Sequence, residues 1–187
     1  MAYINMHGKH LHDELFILFE KFLHNFHHAY INLYEKMTME EFQMVNIKPS
    51  DKVIHIGCGP IPNTLVILAK NIPANYIGID RDIQAVEMAR EIVKKYNLNI
   101  KVEYGDALKY PIKDFDVIII SFGVEPHNKI FERIKNDAKE DARIIYRKQY
   151  DFLDFIYGKR SIPEGFKVIS EHKRRDMIKS YLLKKYS

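Results

Sequence analysis

VIHIGCGPIPNTLVILAK, residues Val53 to Lys70, opens as a strand and closes as a helix, with two glycines and two prolines at the join. A strand that turns into a helix through a Gly-rich loop is the first unit of a doubly wound α/β sheet. Gly57 and Gly59 stand where a missing Cβ lets a ligand approach the backbone. The third glycine of a dinucleotide loop is absent, because GCGPIPN puts Pro62 and Asn63 in that region. Pro60 and Pro62 carry no N–H, so the loop offers a diphosphate few donors.

A ligand without phosphate loses little from those prolines. S-Adenosylmethionine is such a ligand: it needs room for its aminocarboxypropyl arm, an acceptor for the ribose hydroxyls and an acceptor for the adenine amino group. Pro62 is expected as the first helical residue, where no N–H is missed. Asp80 ends the next β-rich run, NYIGID, about 23 residues after Gly57. A carboxylate there can accept both ribose hydroxyls. Asp82 is expected to cap the following helix. Asp106 in EYGDALKY follows a third such run and can reach the adenine edge, although an Asp after Gly is also a turn former.

Outward from this loop the chain keeps alternating. KVIHI, NYIGI, NIKVEY and FDVIIIS read as strands, with helices PNTLVILAKN and DIQAVEMAREIVKKYN between them. Apolar runs without polar alternation suit strands covered on both faces. A helix from about Glu125 to Asn136, a strand ARIIYR and a short helix around FLDFIY continue the pattern. GFKVISEHKRRDMIKSYLLKKY reads as an antiparallel hairpin with HKRRD as its turn. The expected fold class is α/β, a three-layer doubly wound, mostly parallel seven-stranded sheet.

Before it lies a helical extension. Leu11, Leu15, Leu18, Phe22, Phe26 and Ala29 recur at steps of three and four, and no Gly or Pro interrupts Leu11 to Met37. Thr38 and Glu41 have the spacing of a capping box, which predicts a second, short helix to about Val45. KPSD then reads as a turn. The division follows as a helical cap over 1–48 and a ligand-binding domain over 49–187.

Composition restricts the partners. The chain has 187 residues, 29 Lys and Arg against 25 Asp and Glu, and one cysteine. That charge balance demands no nucleic acid, and a lone cysteine forms no internal disulfide. MAYINMHGKHLHDELF lacks the basic and apolar blocks of a secretion signal, and no run is long enough to span a membrane. A cytoplasmic location is expected; a homodimer is left open.

The ordered set HIGCGP, GID and GDA resembles the class I S-adenosylmethionine-dependent methyltransferases over Asp51 to Tyr186. The resemblance implies the Rossmann-like methyltransferase fold and a cofactor site drawn from His55, Gly57, Cys58, Gly59, Pro60, Asp80, Arg81, Asp106, Ala107 and Ser121. Within it, the glycines would meet the methionine part, Asp80 the ribose, and Asp106 with Ala107 the adenine. IGCGPIPNTLVILAK and IIYRKQYDFLDFIYGK are similar, more narrowly, to nicotianamine synthases. Their loop has the same G-x-G-P-x-P form, and they transfer the aminocarboxypropyl group of S-adenosylmethionine to an amine.

The expected function is therefore an S-adenosylmethionine-dependent transferase acting on a small molecule, by base rate a methyltransferase. Aminocarboxypropyl transfer is the alternative, and a non-catalytic S-adenosylmethionine-binding protein is the second alternative. Glu40 and Glu41 precede the loop near the place of a catalytic glutamate in nicotianamine synthases. Either can take the proton of an attacking amine, Glu40 being the better candidate, against the alternative that Glu41 only serves the capping box. Glu125 and His127 in SFGVEPH can orient or deprotonate a small acceptor, against the alternative that they only start a helix. Tyr30 and Tyr34 either shape the acceptor pocket or pack the core. Cys58, inside the loop, is badly placed as a nucleophile. His7, His10, His12, His24, His27 and His28 crowd the first 28 residues, but no carboxylate or cysteine pattern completes a metal site, and none is expected. Lys173, Arg174 and Arg175 read as a solvated turn.

Overall fold

The structure is a computed structural model that describes residues 26–153, 155, 158 and 160–186. Its elements are α1 (His27–Phe42), β1 (Lys52–Ile56), α2 (Asn63–Asn71), β2 (Asn75–Asp80), α3 (Ile83–Tyr96), β3 (Ile100–Tyr104), β4 (Val117–Ile120), α4 (His127–Asp137), β5 (Arg143–Gln149), β6 (Phe166–Lys173) and β7 (Ile178–Lys185). The seven strands form one sheet in the order β3-β2-β1-β4-β5-β7-β6. β1 to β5 are parallel, and β7 runs antiparallel between β5 and β6. The expected sheet and terminal hairpin are both present.

Burial explains the strand runs. Every residue of β4 is buried, as are all but the first of β1, because α1, α2 and α3 cover one face while α4 and the 105–116 connection cover the other. Val53, Ile119 and Ile145 face the first side; Ile54, Ile118 and Ile144 face the second. The period of two within an all-apolar run divides one strand between two cores. Asp82 caps α3 by accepting from the Gln84 N–H, and Asn97 closes that helix at φ 51°.

Two local expectations change. α1 runs through Thr38 without a break, and the Thr38 hydroxyl is buried inside the helix with no hydrogen-bond partner among the described residues. Ile31, Thr38, Glu41 and Phe42 all lie on its buried stripe, so packing carries the helix past the capping signal. Pro62 stands one residue ahead of its expected place, as the N-cap of α2, and the Asn63 side chain accepts from the Thr64 N–H. Around FLDFIY the described residues are a 3₁₀ turn, Asp151–Leu153, and the helical Phe155. The amphipathic stretch before Phe26, with His7, His10, His12 and His24, lies outside the described residues.

The 105–116 connection contains no helix, and beside it the second face of β2 and β3 is left open. A groove of about 540 Å³ lies there, lined by Lys52, Asn75, Ile77, Lys101, Glu103 and Tyr110 among others. Its wall residues include the first residues of β1 and β2, Lys52 and Asn75, so it is set apart from the carboxyl ends of the strands. Among the described residues, no helix is long and apolar enough to cross a membrane.

Candidate active site

The loop after β1 has most of its amides engaged in internal bonds. The Gly57 and Cys58 N–H groups both donate to the Ile79 carbonyl, and the Gly59 N–H donates to Asp80 Oδ2 at 2.9 Å. Asn63 N–H bonds the Ile61 carbonyl, Thr64 N–H bonds Asn63 Oδ1, and Pro60 and Pro62 have nothing to donate. Gly57 and Gly59 adopt φ values of 72° and 68°, which L side chains rarely tolerate. A Cβ on Gly57 would stand 2.7 Å from Val124 Cγ2 and 3.5 Å from Ser121 Cβ, so this glycine also lets the loop after β4 close in. Such a cradle is poor for a diphosphate; a sulfonium nucleoside, which has no phosphate, loses little by it.

The acidic residues keep capacity for one. Asp80 accepts from Gly59 N–H on Oδ2 and from Asp82 N–H on Oδ1, leaving a lone-pair direction on each oxygen for a diol. Asp106 Oδ1 accepts from the Leu108 N–H, so the turn reading is correct, and Oδ2 remains for an amino group. The Ala107 carbonyl accepts from Arg133. Arg81 is exposed at the rim. Cys58 is buried and its sulfur lies 3.0 Å from where a Cβ on Gly78 would be, so its side chain belongs to the core and offers a ligand only backbone. Pro60 is likewise buried.

Below the loop, His55 and Ser121 join β1 to β4. His55 Nε2 lies 2.7 Å from Ser121 Oγ, and the ring is 2 % exposed. Burial, reinforced by the charges of Arg147 and Arg174 against a smaller opposing effect of Glu41, lowers its pKa to about 3. His55 is therefore neutral at physiological pH and acts from beneath the crevice.

Glu41, and not Glu40, is turned toward the strand ends. Arg147 of β5 grips it with Nε on Oε1 and Nη2 on Oε2, both at 2.8 Å. Arg174, from the β6–β7 turn, adds a bond to Oε2, and Ser180 of β7 donates to Oε1 at 2.6 Å. Arg147 also donates to Thr64 of α2, while Arg174 forks onto Asp176 and lies over the Tyr34 ring. Burial alone would raise the Glu41 pKa. The two guanidinium charges and these bonds outweigh that effect and hold it down at about 2. Every lone-pair direction of the carboxylate is taken, so Glu41 is a structural hub. Glu40 is partly exposed on the outer side of α1, 3.9 Å from Lys36 on the same helix.

After β4, Glu125 Oε2 accepts the His127 N–H and Oε1 accepts from Arg160. The His127 ring sits against Phe131 and Tyr146, with centroids 4.8 and 5.0 Å away. Burial and the charge of Arg160 lower its pKa, while Glu125 and the Ser161 backbone oppose them, so it is neutral near pH 7. Tyr30 and Tyr34 pack their rings together at 4.7 Å beside the first core. His27 is buried, and His28 Nδ1 lies 2.7 Å from the Tyr96 hydroxyl.

Arg147, Ser180, Arg160 and the inward turn of Arg174 are the residues that sequence reasoning missed. The signal for Arg147 was the polar run RKQ closing a strand that is otherwise buried. Arg174 is the opposite of the solvated turn residue expected, with 5 % exposure.

Comparison with known proteins agrees with this fold. The sequence model of the family described as Nicotianamine synthase protein matches residues 9–186. A variant of MtNAS crystallised in complex with S-adenosylmethionine superposes with a TM-score of 0.74 at 21 % identity, covering 82 % of this chain and 62 % of that one. An RNA methyltransferase from Salinibacter ruber in complex with S-adenosyl-L-homocysteine gives 0.60 at 15 % identity, covering 78 % and 87 %. Ribosomal protein L11 methyltransferase of Thermotoga neapolitana is 26 % identical over 133 residues, 71 % of this chain. The match spans half the length of that relative. The fold is that of the class I methyltransferases, and the match over nearly the whole chain decides the branch: it belongs to the nicotianamine synthase family, within the S-adenosylmethionine-dependent class I superfamily.

Proposed function

We propose that this protein binds S-adenosylmethionine at the carboxyl ends of β1, β2 and β4 and transfers its aminocarboxypropyl group to a small-molecule amine. The observation that carries the reading is the loop after β1, where the Gly57, Cys58, Gly59 and Asn63 amides bond internally and Pro60 and Pro62 have none, so that it favours a donor without phosphate. The family match over residues 9–186 favours this group over the methyl group. When bound, S-adenosylmethionine supplies alkyl carbons already activated by its sulfonium. The protein's part is to hold, align and exclude water.

In this reading Gly57 and Gly59 open the cradle, Asp80 receives the ribose hydroxyls and Asp106 Oδ2 the adenine amino group. Glu125 and His127, the latter neutral near pH 7, are the groups placed to take the acceptor's proton. Glu40 and Glu41 are not assigned that role, since one faces outward and the other is saturated.

Mass spectrometry of the nucleoside product tests the proposal with purified protein, S-adenosylmethionine and a panel of amines. Methylthioadenosine is expected. S-Adenosylhomocysteine would instead support methyl transfer, which the L11 methyltransferase relatives favour. Tight binding without turnover on any amine, hydroxyl or thiol would leave a binding protein.

A further inference from the structure

We infer that Ser121 is a hydrogen-bond donor aimed into the crevice, set in that role by His55, and that it recognises a carboxylate on the aminocarboxypropyl arm of the ligand. The inference rests on the S-adenosylmethionine reading above and goes beyond it by assigning one ligand group to one side chain.

His55 and Ser121 leave the same face of the sheet, and Ser121 N–H is anchored on the Ile56 carbonyl, so the 2.7 Å contact between Nε2 and Oγ is built by the β1–β4 register. His55 Nδ1 is buried and has no hydrogen-bond partner among the described residues. The charged groups that act on the ring are Glu41 from α1, Arg147 from β5 and Arg174 from the β6–β7 turn. Glu41 has no acceptor direction left, and the arginines offer only donors.

Those facts decide the tautomer. A proton on Nδ1 would be a buried donor without an acceptor, whereas a bare Nδ1 leaves only an unused lone pair. Charging the ring is opposed by its burial and by the guanidinium groups. The ring proton therefore sits on Nε2 and is donated to Ser121 Oγ. Because the Ser121 oxygen is then the acceptor of that bond, its own hydrogen turns away from His55. Ser121 is part-exposed at the end of β4, beside Gly57, with its Cβ 3.5 Å from the place a Gly57 Cβ would occupy. A hydroxyl donor at the closest approach of the glycine loop suits an anionic oxygen, and the carboxylate is the one anionic group of S-adenosylmethionine. An ammonium group would need the opposite polarity.

Two measurements test this. Nitrogen-15 NMR of the ligand-free protein should find the His55 proton on Nε2; a proton on Nδ1 overturns the inference. Calorimetry then compares S-adenosylmethionine with methylthioadenosine, which lacks the arm and its carboxylate. Ser121→Ala should weaken S-adenosylmethionine about 10-fold or more, as for a bond to a charged group, and leave methylthioadenosine within about 2-fold. Ser121→Thr, which keeps the hydroxyl, should recover most of the loss. Equal weakening of both ligands, or no weakening of S-adenosylmethionine, overturns the assignment while the binding reading stands. Failure of the unaltered protein to bind either ligand overturns both.

Discussion

The two faces of the sheet solve the same packing problem with opposite chemistry. Above β1, β4 and β5, the α1 face buries Glu41, Arg147, His55, Thr64 and Ser180, with Arg174 reaching in from the hairpin. The α4 face buries rings: Phe131 meets Tyr146 and Phe166 edge-on at 5.1 and 5.4 Å, and Tyr146 stacks on Tyr181. Charge on the first face is balanced and fully bonded, so it fixes where the helix lies and tolerates no missing member. Ring packing on the second depends on shape and degrades by volume. The β1 and β4 loops lie at the boundary between the two, and the candidate site draws a rigid floor from one side and half-open polar groups from the other.

The contrast is most exposed to single truncations on each face. Glu41→Ala leaves the Arg147 guanidinium buried without a counter-charge, while Arg174 keeps only Asp176, and is expected to cost about 3–5 kcal/mol in urea unfolding. Replacing Glu41, Arg147 and Arg174 together by Met should recover most of that loss. A mild cost for Glu41→Ala alone would show that the hub does not hold α1. Phe131→Ala on the other face is expected to cost about 3–5 kcal/mol as well, by leaving a cavity. There, Phe131→Leu should be tolerated far better, because only volume is at stake.

Acid separates the faces next. The His55 pKa is depressed from 6.5 to about 3, so the unfolded chain binds its proton first. Stability is unaffected above pH 6.5 and is lost below it by roughly 1.4 kcal/mol per pH unit for this group. Glu41, depressed from 4.5 to about 2, adds a second loss as pH falls through that window. His127 shifts in the same direction as His55. In His55→Gln the fall of melting temperature between pH 6.5 and 4.5 should become shallower, and an unchanged slope would remove His55 from the account. At the boundary itself, Asp80→Ala should weaken S-adenosylmethionine by about 1–3 kcal/mol in calorimetry with little change in melting temperature. Glu40→Ala should change stability by no more than about 0.5 kcal/mol, which sharpens the difference between two adjacent carboxylates.

How much of this was legible follows the range of each signal. β1 to β5 could be read because buried parallel strands are apolar throughout, and the glycine loop because its conformation demands particular residues. Asp80 at the end of β2 and Asp106 after β3 stand where the sequence pattern puts them. Glu41 was misjudged because Thr38 and Glu41 do have the spacing of a local cap, while the partners that claim the carboxylate come from the far end of the chain. Periodicity reports which side of a helix is buried; it does not report what the buried charge will meet. Arg174 failed for the same reason: a cluster of like charges normally faces water, and only the hairpin's docking turns this one inward.

The hairpin has a consequence for how the molecule is made. Glu41 bonds Arg174 and Ser180 across 133 and 139 residues of sequence, and β7, which carries Ser180, is an interior strand of the sheet. Such distant closures come late in folding. While a nascent chain is still emerging from the ribosome, Glu41 lacks these two partners, and the cleft takes its final shape only after β7 has been delivered.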